Sequence, residues 1–157
     1  MSHAPVTIRA ASATDEAAIR ALVKSERLNP NGLDWPNFVV AADEHGIVGA
    51  VQLRRHPDGS RELGSLVVAP PARGRGIATR LIETLLASHS GAVHMITGDA
   101  HVQHYRRWGF QSIAAAQAPR RVRRNYRLGR LARVITFFRG LPPQRLVILE
   151  RSPKEAA

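Results

Sequence analysis

Residues 72–79 read ARGRGIAT, directly after LGSLVVAPP (63–71) and directly before RLIETLLA (80–87). The upstream run is apolar and valine-rich and reads as a strand. Downstream, Ile77, Leu81, Ile82, Leu85 and Leu86 recur at helical spacing to about Ser88. Two glycines alternate with two arginines at this strand–helix junction. Glycine lets a backbone approach a ligand with no Cβ in the way. A helix N-terminus offers unpaired N–H groups and a positive dipole end to an anion. The stretch therefore predicts a loop that holds something negative close to the main chain.

Spacing narrows the kind of loop. A dinucleotide fingerprint needs G-x-G-x-x-G; Gly74 and Gly76 fit, but Thr79 stands at the third position, and the strand before the loop is about the fourth. A P-loop needs four residues between its glycines and then Lys-Ser/Thr, which is not met. The pattern R-x-x-G-x-A is met by Arg73, Gly76 and Ala78.

Working outward, VTIRA (6–10) alternates as a first strand. SATDE supplies cap and first-turn acids for a helix to about Leu28, with Ile19, Leu22 and Val23 on its apolar face. NPNGLDWPN (29–37) is a loop of turn formers. FVVAA, IVGAVQLRR and RELGSLVVA, joined by DEHG and HPDGS, read as an antiparallel meander. AVHMITG (92–98) is a buried strand, HVQHYRRWG a short helix stopped at Gly109, and FQSI the next strand. Residues 119–139 read as a basic amphipathic helix with Leu128, Leu131, Ala132, Ile135 and Phe138 on one side, ended by GLPP. RLVILE (145–150) is a last strand, positioned to make a hairpin with FQSI across the helix.

The 157 residues predict one domain over 1–157, and a chain near this size buries roughly 70% of its unfolded surface. With no cysteine, disulfides, thiolate nucleophiles and Cys-ligated metals are excluded. No run approaches a membrane span, and MSHAPVTIRA lacks the basic-then-apolar order of a secretory leader, so a cytoplasmic protein is expected. The net charge is +11, and no acidic residue stands between Asp99 and Glu150, a stretch that carries eleven arginines. Such asymmetry points to a polyanionic partner or to a composition that uses arginine freely.

The 73–78 pattern in its strand–loop–helix context resembles the acyl-CoA pyrophosphate loop, Q/R-x-x-G-x-G/A, of the GNAT (GCN5-related N-acetyltransferase) superfamily. YRRWGF (105–110) resembles its Y-x-x-x-G-F signature, and the element order is similar over 6–113 and 145–150. The resemblance implies an α/β (α+β) fold with a mixed central sheet, diverging fourth and fifth strands and helices on both faces. A helical insertion at about 115–142 departs from it. It implies acetyl-CoA as co-substrate with no metal, gripped by Arg73, Gly74, Arg75, Gly76, Ile77, Ala78 and Thr79, with the pantetheine arm along Leu66, Val67 and Val68. It implies direct transfer of acetyl to an amine, with Tyr105 as the acid beside the leaving thiolate. Glu62 falls where some members carry a glutamate base; it equally reads as a surface carboxylate beside Arg61. His94, His101 and His104 are alternative bases, and the His101-x-x-His104 spacing lacks a third metal ligand. Asn29, Asn31, Asp34 and Trp35 lie in the loop that lines the acceptor side, or Trp35 plugs the core.

A small-molecule amine is the expected acceptor. A protein N-acetyltransferase, and a non-catalytic module that senses CoA or binds a polyanion, are the alternatives. The apolar stripe of 119–139 is expected to pack on the domain, its basic face being incidental, a lid over the cleft, or a contact for nucleic acid or an anionic membrane. A homodimer is open.

Overall fold

The computed structural model describes residues 4–137 and 144–153, with backbone alone at 134–137. The predicted stop GLPP (140–143), with Phe138 and Arg139, lies outside these residues, as does the side chain of Ile135. Among the described residues, seven strands and four α-helices follow the predicted order. The chain divides into two compact units, one ending at Arg54 and resuming over Leu63–Ser90, the other formed by Arg55–Glu62 and the chain from Gly91 onward.

The first unit holds β1 (Thr7–Ala10), β2 (Phe38–Asp43), β3 (Gly46–Arg55) as far as Arg54 and β4 (Arg61–Val68) from Leu63, neighbours in chain order. The pairs β1–β2 and β2–β3 are antiparallel. Helix α1 (Glu16–Ser25) turns Ile19 and Val23 inward onto Phe38, Val40, Ala50 and Val67. Each such buried side chain stabilises the unit by roughly 1.5–3 kcal/mol. The start of α1 is tied down by Asp15, whose carboxylate accepts from Arg9 at 2.7 and 3.0 Å and from the Ser12 N–H at 2.8 Å. The Arg9 hydrogen bonds hold that carboxyl well below the usual range.

The helix stops three residues short of the predicted Leu28. Arg27 is left-handed at φ 55°, and the Leu28 N–H returns to the Val23 carbonyl at 3.1 Å, a Schellman-type closure. This turn brings Glu26 and Leu28 to one place on the unit, which matters below. Helix α2 (Ile77–Ala87) buries Ile77, Leu81, Ile82, Leu85 and Leu86, the five residues read from their spacing.

In the second unit β7 (Leu146–Arg151) lies between β5 (Val93–Gly98) and β6 (Phe110–Ile113), antiparallel to both. The predicted pairing of the last two strands across a helix is therefore present. Helix α3 (Val102–Tyr105) runs into a 3-10 turn that ends at Gly109, left-handed at φ 84°. Helix α4 (Arg120–Phe137) fills the predicted insertion.

The inner face of α4 corrects the sequence reading. Leu128, Leu131 and Ala132, expected to pack, are exposed. The residues turned inward are Val122, fully buried, with Asn125, Tyr126 and Gly129 half-buried. Val122 packs with Ala118 and Ile148, and Tyr126 Oη donates to the Leu146 carbonyl at 3.3 Å. A Cβ on Gly129 would stand 3.2 Å from Leu146 Cδ1, so the glycine sets how closely the helix lies on β7. The sequence around Pro119 offers α4 no Ser, Thr or Asp as cap. Asp58, in the tip of the β3–β4 turn, supplies it by accepting from the Arg121 N–H at 2.9 Å.

Candidate active site

In the first unit a cleft of about 410 Å³ is lined by Glu26, Leu28, Leu66, Val67, Val68, Arg73 and Ala78. Five of these seven were singled out in the sequence. The end of β4 forms one wall and the start of α2 the other. The chain passes between them through Gly74 and Gly76, both left-handed, at φ 75° and 69°. Among the described residues, no atom beyond the adjoining ones lies within 4 Å of where a Cβ would stand on either. The glycines are thus required first by backbone angle and also leave open space over the main chain. Behind them the first-turn N–H groups of Ile77, Ala78 and Thr79 have no intrahelical acceptor, as in any α-helix.

The two arginines of the loop do not simply face the cleft. Arg73 pairs with Glu26 and its Nε donates to the Val68 carbonyl at 3.0 Å. Arg75 Nη2 donates to the Ala4 carbonyl at 2.6 Å. Both cations are used to fold the loop, and Arg73 lines the cleft while paired with Glu26.

Just upstream, Ser65 is a non-glycine residue at φ 52° inside β4. Its Oγ receives Gln52 Nε2 at 3.2 Å and Arg54 Nη2 at 3.1 Å. Such a residue costs about 1–2 kcal/mol and persists because neighbours over-determine it. Sequence reading missed this bend, since serine gives no sign of a left-handed angle. Gln52 Nε2 also reaches the Gly32 carbonyl at 3.2 Å, tying the 29–37 loop to β3. In that loop Asn29 Oδ1 accepts from the Asn31 N–H at 2.9 Å and Asp34 from Asn37 Nδ2 at 2.9 Å, while Trp35 is half-buried. Asn29 and Asp34 therefore shape the loop itself.

In the second unit Glu62 is buried, 3% exposed, not a surface carboxylate. Its Oε2 meets His56 Nε2 at 2.8 Å and accepts from Asn125 Nδ2 of α4 at 3.0 Å. Of these three the family resemblance points to Glu62 only; His56 lies in the HPDGS turn, and Asn125 is 63 residues away. Tyr105 is half-buried, edge-on to Phe110 with ring centroids 6.2 Å apart and to His104 at 5.5 Å. Burial pushes its phenol up from the ordinary value, so it stays protonated over the working range. Of the alternative bases, His94 is buried in β5 with Nε2 2.9 Å from Glu150. His101 and His104 are exposed. Among the described residues no three His, Asp or Glu side chains gather into a metal-binding group.

The family described as "Acetyltransferase (GNAT) domain" matches residues 34–112, about half of the chain. No curated protein sequence matches. Among solved structures, the chain is similar to N-acetylglutamate synthase from Neisseria gonorrhoeae complexed with coenzyme A and N-acetyl-glutamate. The TM-score is 0.68 at 19% identity, over 98% of this chain and 36% of that one. The chain thus spans about a third of that enzyme's length. It is also similar to a Mycobacterium tuberculosis protein in complex with CoA, at TM-score 0.68 and 20% identity, over 94% of this chain and 99% of that one. A GNAT-family acetyltransferase from Staphylococcus aureus Mu50 gives 0.64 at 16%, over 96% and 100%. These likenesses are of fold. With the matched domain, the glycine loop opening α2 and the Tyr105–Phe110 turn, the chain belongs to the GNAT acetyltransferase family.

Proposed function

We propose that this protein is an acetyl-CoA-dependent N-acetyltransferase acting on the amine of a small molecule. The observation that carries the reading is the 410 Å³ cleft, in which the end of β4 and the N-terminus of α2 flank two left-handed glycines. Structures of similar fold hold CoA. A bound acetyl thioester supplies the acyl group to the attacking amine.

The residues divide the work as follows. The N–H groups of Ile77, Ala78 and Thr79, with the α2 dipole behind them, hold the pyrophosphate. Leu66, Val67 and Val68 line the pantetheine arm. The amine must lose a proton to attack, and by the family resemblance Glu62, held by His56 and Asn125, is the group that accepts it. As the C–N bond forms and the C–S bond breaks, Tyr105 donates a hydrogen bond or proton to the sulfur. The net charge of +11 favours an acceptor that also carries a carboxylate.

Calorimetric titration with acetyl-CoA tests the cofactor, and absence of binding at about 1 mM would sink the reading. A panel of small amines with detection of released free thiol then identifies the acceptor class. In that assay Tyr105→Phe is expected to lower kcat roughly 100-fold with little change in acetyl-CoA affinity. Unchanged turnover would remove Tyr105 from the mechanism.

A further inference from the structure

The outer face of α4 combines two chemistries. Arg120, Arg124, Arg127, Leu128, Arg130, Leu131 and Ala132 are all exposed. Leu128 and Leu131, 55% and 61% exposed, are the exposed large hydrophobics among the described residues. At about 100° per residue, the nine positions from Val122 to Leu131 place Leu131 directly opposite the buried seam. Arg124, Arg127 and Leu128 surround it. Among the described residues, Arg120, Arg124 and Arg127 pair with no acid, and the sequence supplies none from 100 to 149. The face therefore holds apolar surface that gains from leaving water beside cations that gain from meeting anions.

Each candidate occupant satisfies a different share of this. A second copy of the chain would set arginine against arginine at a net charge of +11. Nucleic acid would meet the guanidinium groups but leave both leucines in water or against phosphate. An acidic helix needs a groove to lie in, and the solvent side of a single helix is convex. An anionic lipid surface satisfies both chemistries. The leucines enter the boundary between headgroups and acyl chains, while the arginine stems lie along it and their heads reach lipid phosphates.

We propose that the outer face of α4 docks the protein on an anionic lipid bilayer, lying in the interface. No helix among the described residues is long and apolar enough to cross one. With two leucines the anchor is shallow, so docking depends on lipid charge and weakens with salt.

The test is co-sedimentation of the full chain with phosphatidylcholine vesicles, with and without phosphatidylglycerol, at low and high salt. The protein is expected to pellet with the anionic vesicles at low salt only. Leu128→Gln/Leu131→Gln and Arg124→Gln/Arg127→Gln are each expected to cut that partitioning roughly tenfold. These positions are exposed and glutamine is a good helix former, so circular dichroism should match the parent. A duplex DNA oligonucleotide followed by fluorescence anisotropy provides the competing arm. DNA binding weakened by the arginine pair but not the leucine pair, with no pelleting, would make this a nucleic-acid face and overturn the proposal. So would equal pelleting with neutral vesicles, or none with either.

Discussion

Arg73 and Arg75 in the glycine loop are engaged by the chain itself, through Glu26, the Val68 carbonyl and the Ala4 carbonyl. Arg120, Arg124 and Arg127 on α4 have no acidic partner among the described residues. The two regions look alike in sequence, both being runs of arginine broken by small or apolar residues. They differ in what the arginines are for. In the loop the cations fix a backbone conformation, and on the proposed function the backbone is the element that meets the anion. On α4 the cations are the surface. Charge density alone does not locate an anion site; the partners of each guanidinium do.

If the loop works through its backbone, the largest effect should come from a residue with no charge. Gly76→Val forces a β-branched side chain to φ 69° at the first turn of α2. It also puts a side chain into the open space over the main chain. We expect roughly a 100-fold loss of acetyl-CoA affinity by calorimetry, about 2.7 kcal/mol, with the variant still folded. A loss of less than threefold would return the grip to the arginines and break the contrast.

The two faces of α4 can be compared in the same way by stability. Val122 is fully buried and Leu131 is 61% exposed. Val122→Ala should cost roughly 2 kcal/mol in urea unfolding, and Leu131→Ala less than about 0.5 kcal/mol. Equal losses would mean that Leu131 is covered in solution.

These faces also show where the sequence was and was not legible. The loop, the meander and α2 were readable because their signals are local: alternation, helical spacing, glycine between strand and helix. Glu62 stood out only through the family resemblance, and its burial had no local signal. The inner face of α4 was not readable, because hydrophobicity does not choose it. Tyr126 turns inward to the Leu146 carbonyl, Asn125 to Glu62, and Gly129 allows close approach to Leu146. Each reason lies with a residue distant in sequence. The same holds for His56, whose place beside Glu62 depends on how the turn at 56–60 closes, and for Asp58 as the cap of α4.

A smaller effect is expected where Glu26 faces the cleft. Its carboxylate holds Arg73 but also places a negative charge in the wall that should receive phosphates. Glu26→Gln should tighten acetyl-CoA binding about three- to tenfold, by removing repulsion and releasing the guanidinium. Stability should change little, since Arg73 is 54% exposed. Weaker binding would show instead that the pair preorganises the loop.

The smallest effect concerns the cap that joins the turn to α4. The Asp58 carboxyl is held down to about 2, first by the Ser60 hydroxyl and then by the Arg121 N–H. An unfolded aspartate titrates near 4. A carboxyl depressed on folding adds stability above its unfolded value, and that stability is lost as pH falls through the folded value. Asp58→Asn keeps an oxygen for the Arg121 N–H but removes the charge and the second acceptor oxygen, the one that Ser60 uses. The parent should therefore be slightly more stable than the variant from about pH 5 to 7. The difference should shrink between about pH 4 and 2 and vanish below. Urea midpoints across this range give the measurement. A constant difference would mean that Asp58 acts on α4 through shape and hydrogen bonding alone, with no contribution from charge at the helix N-terminus.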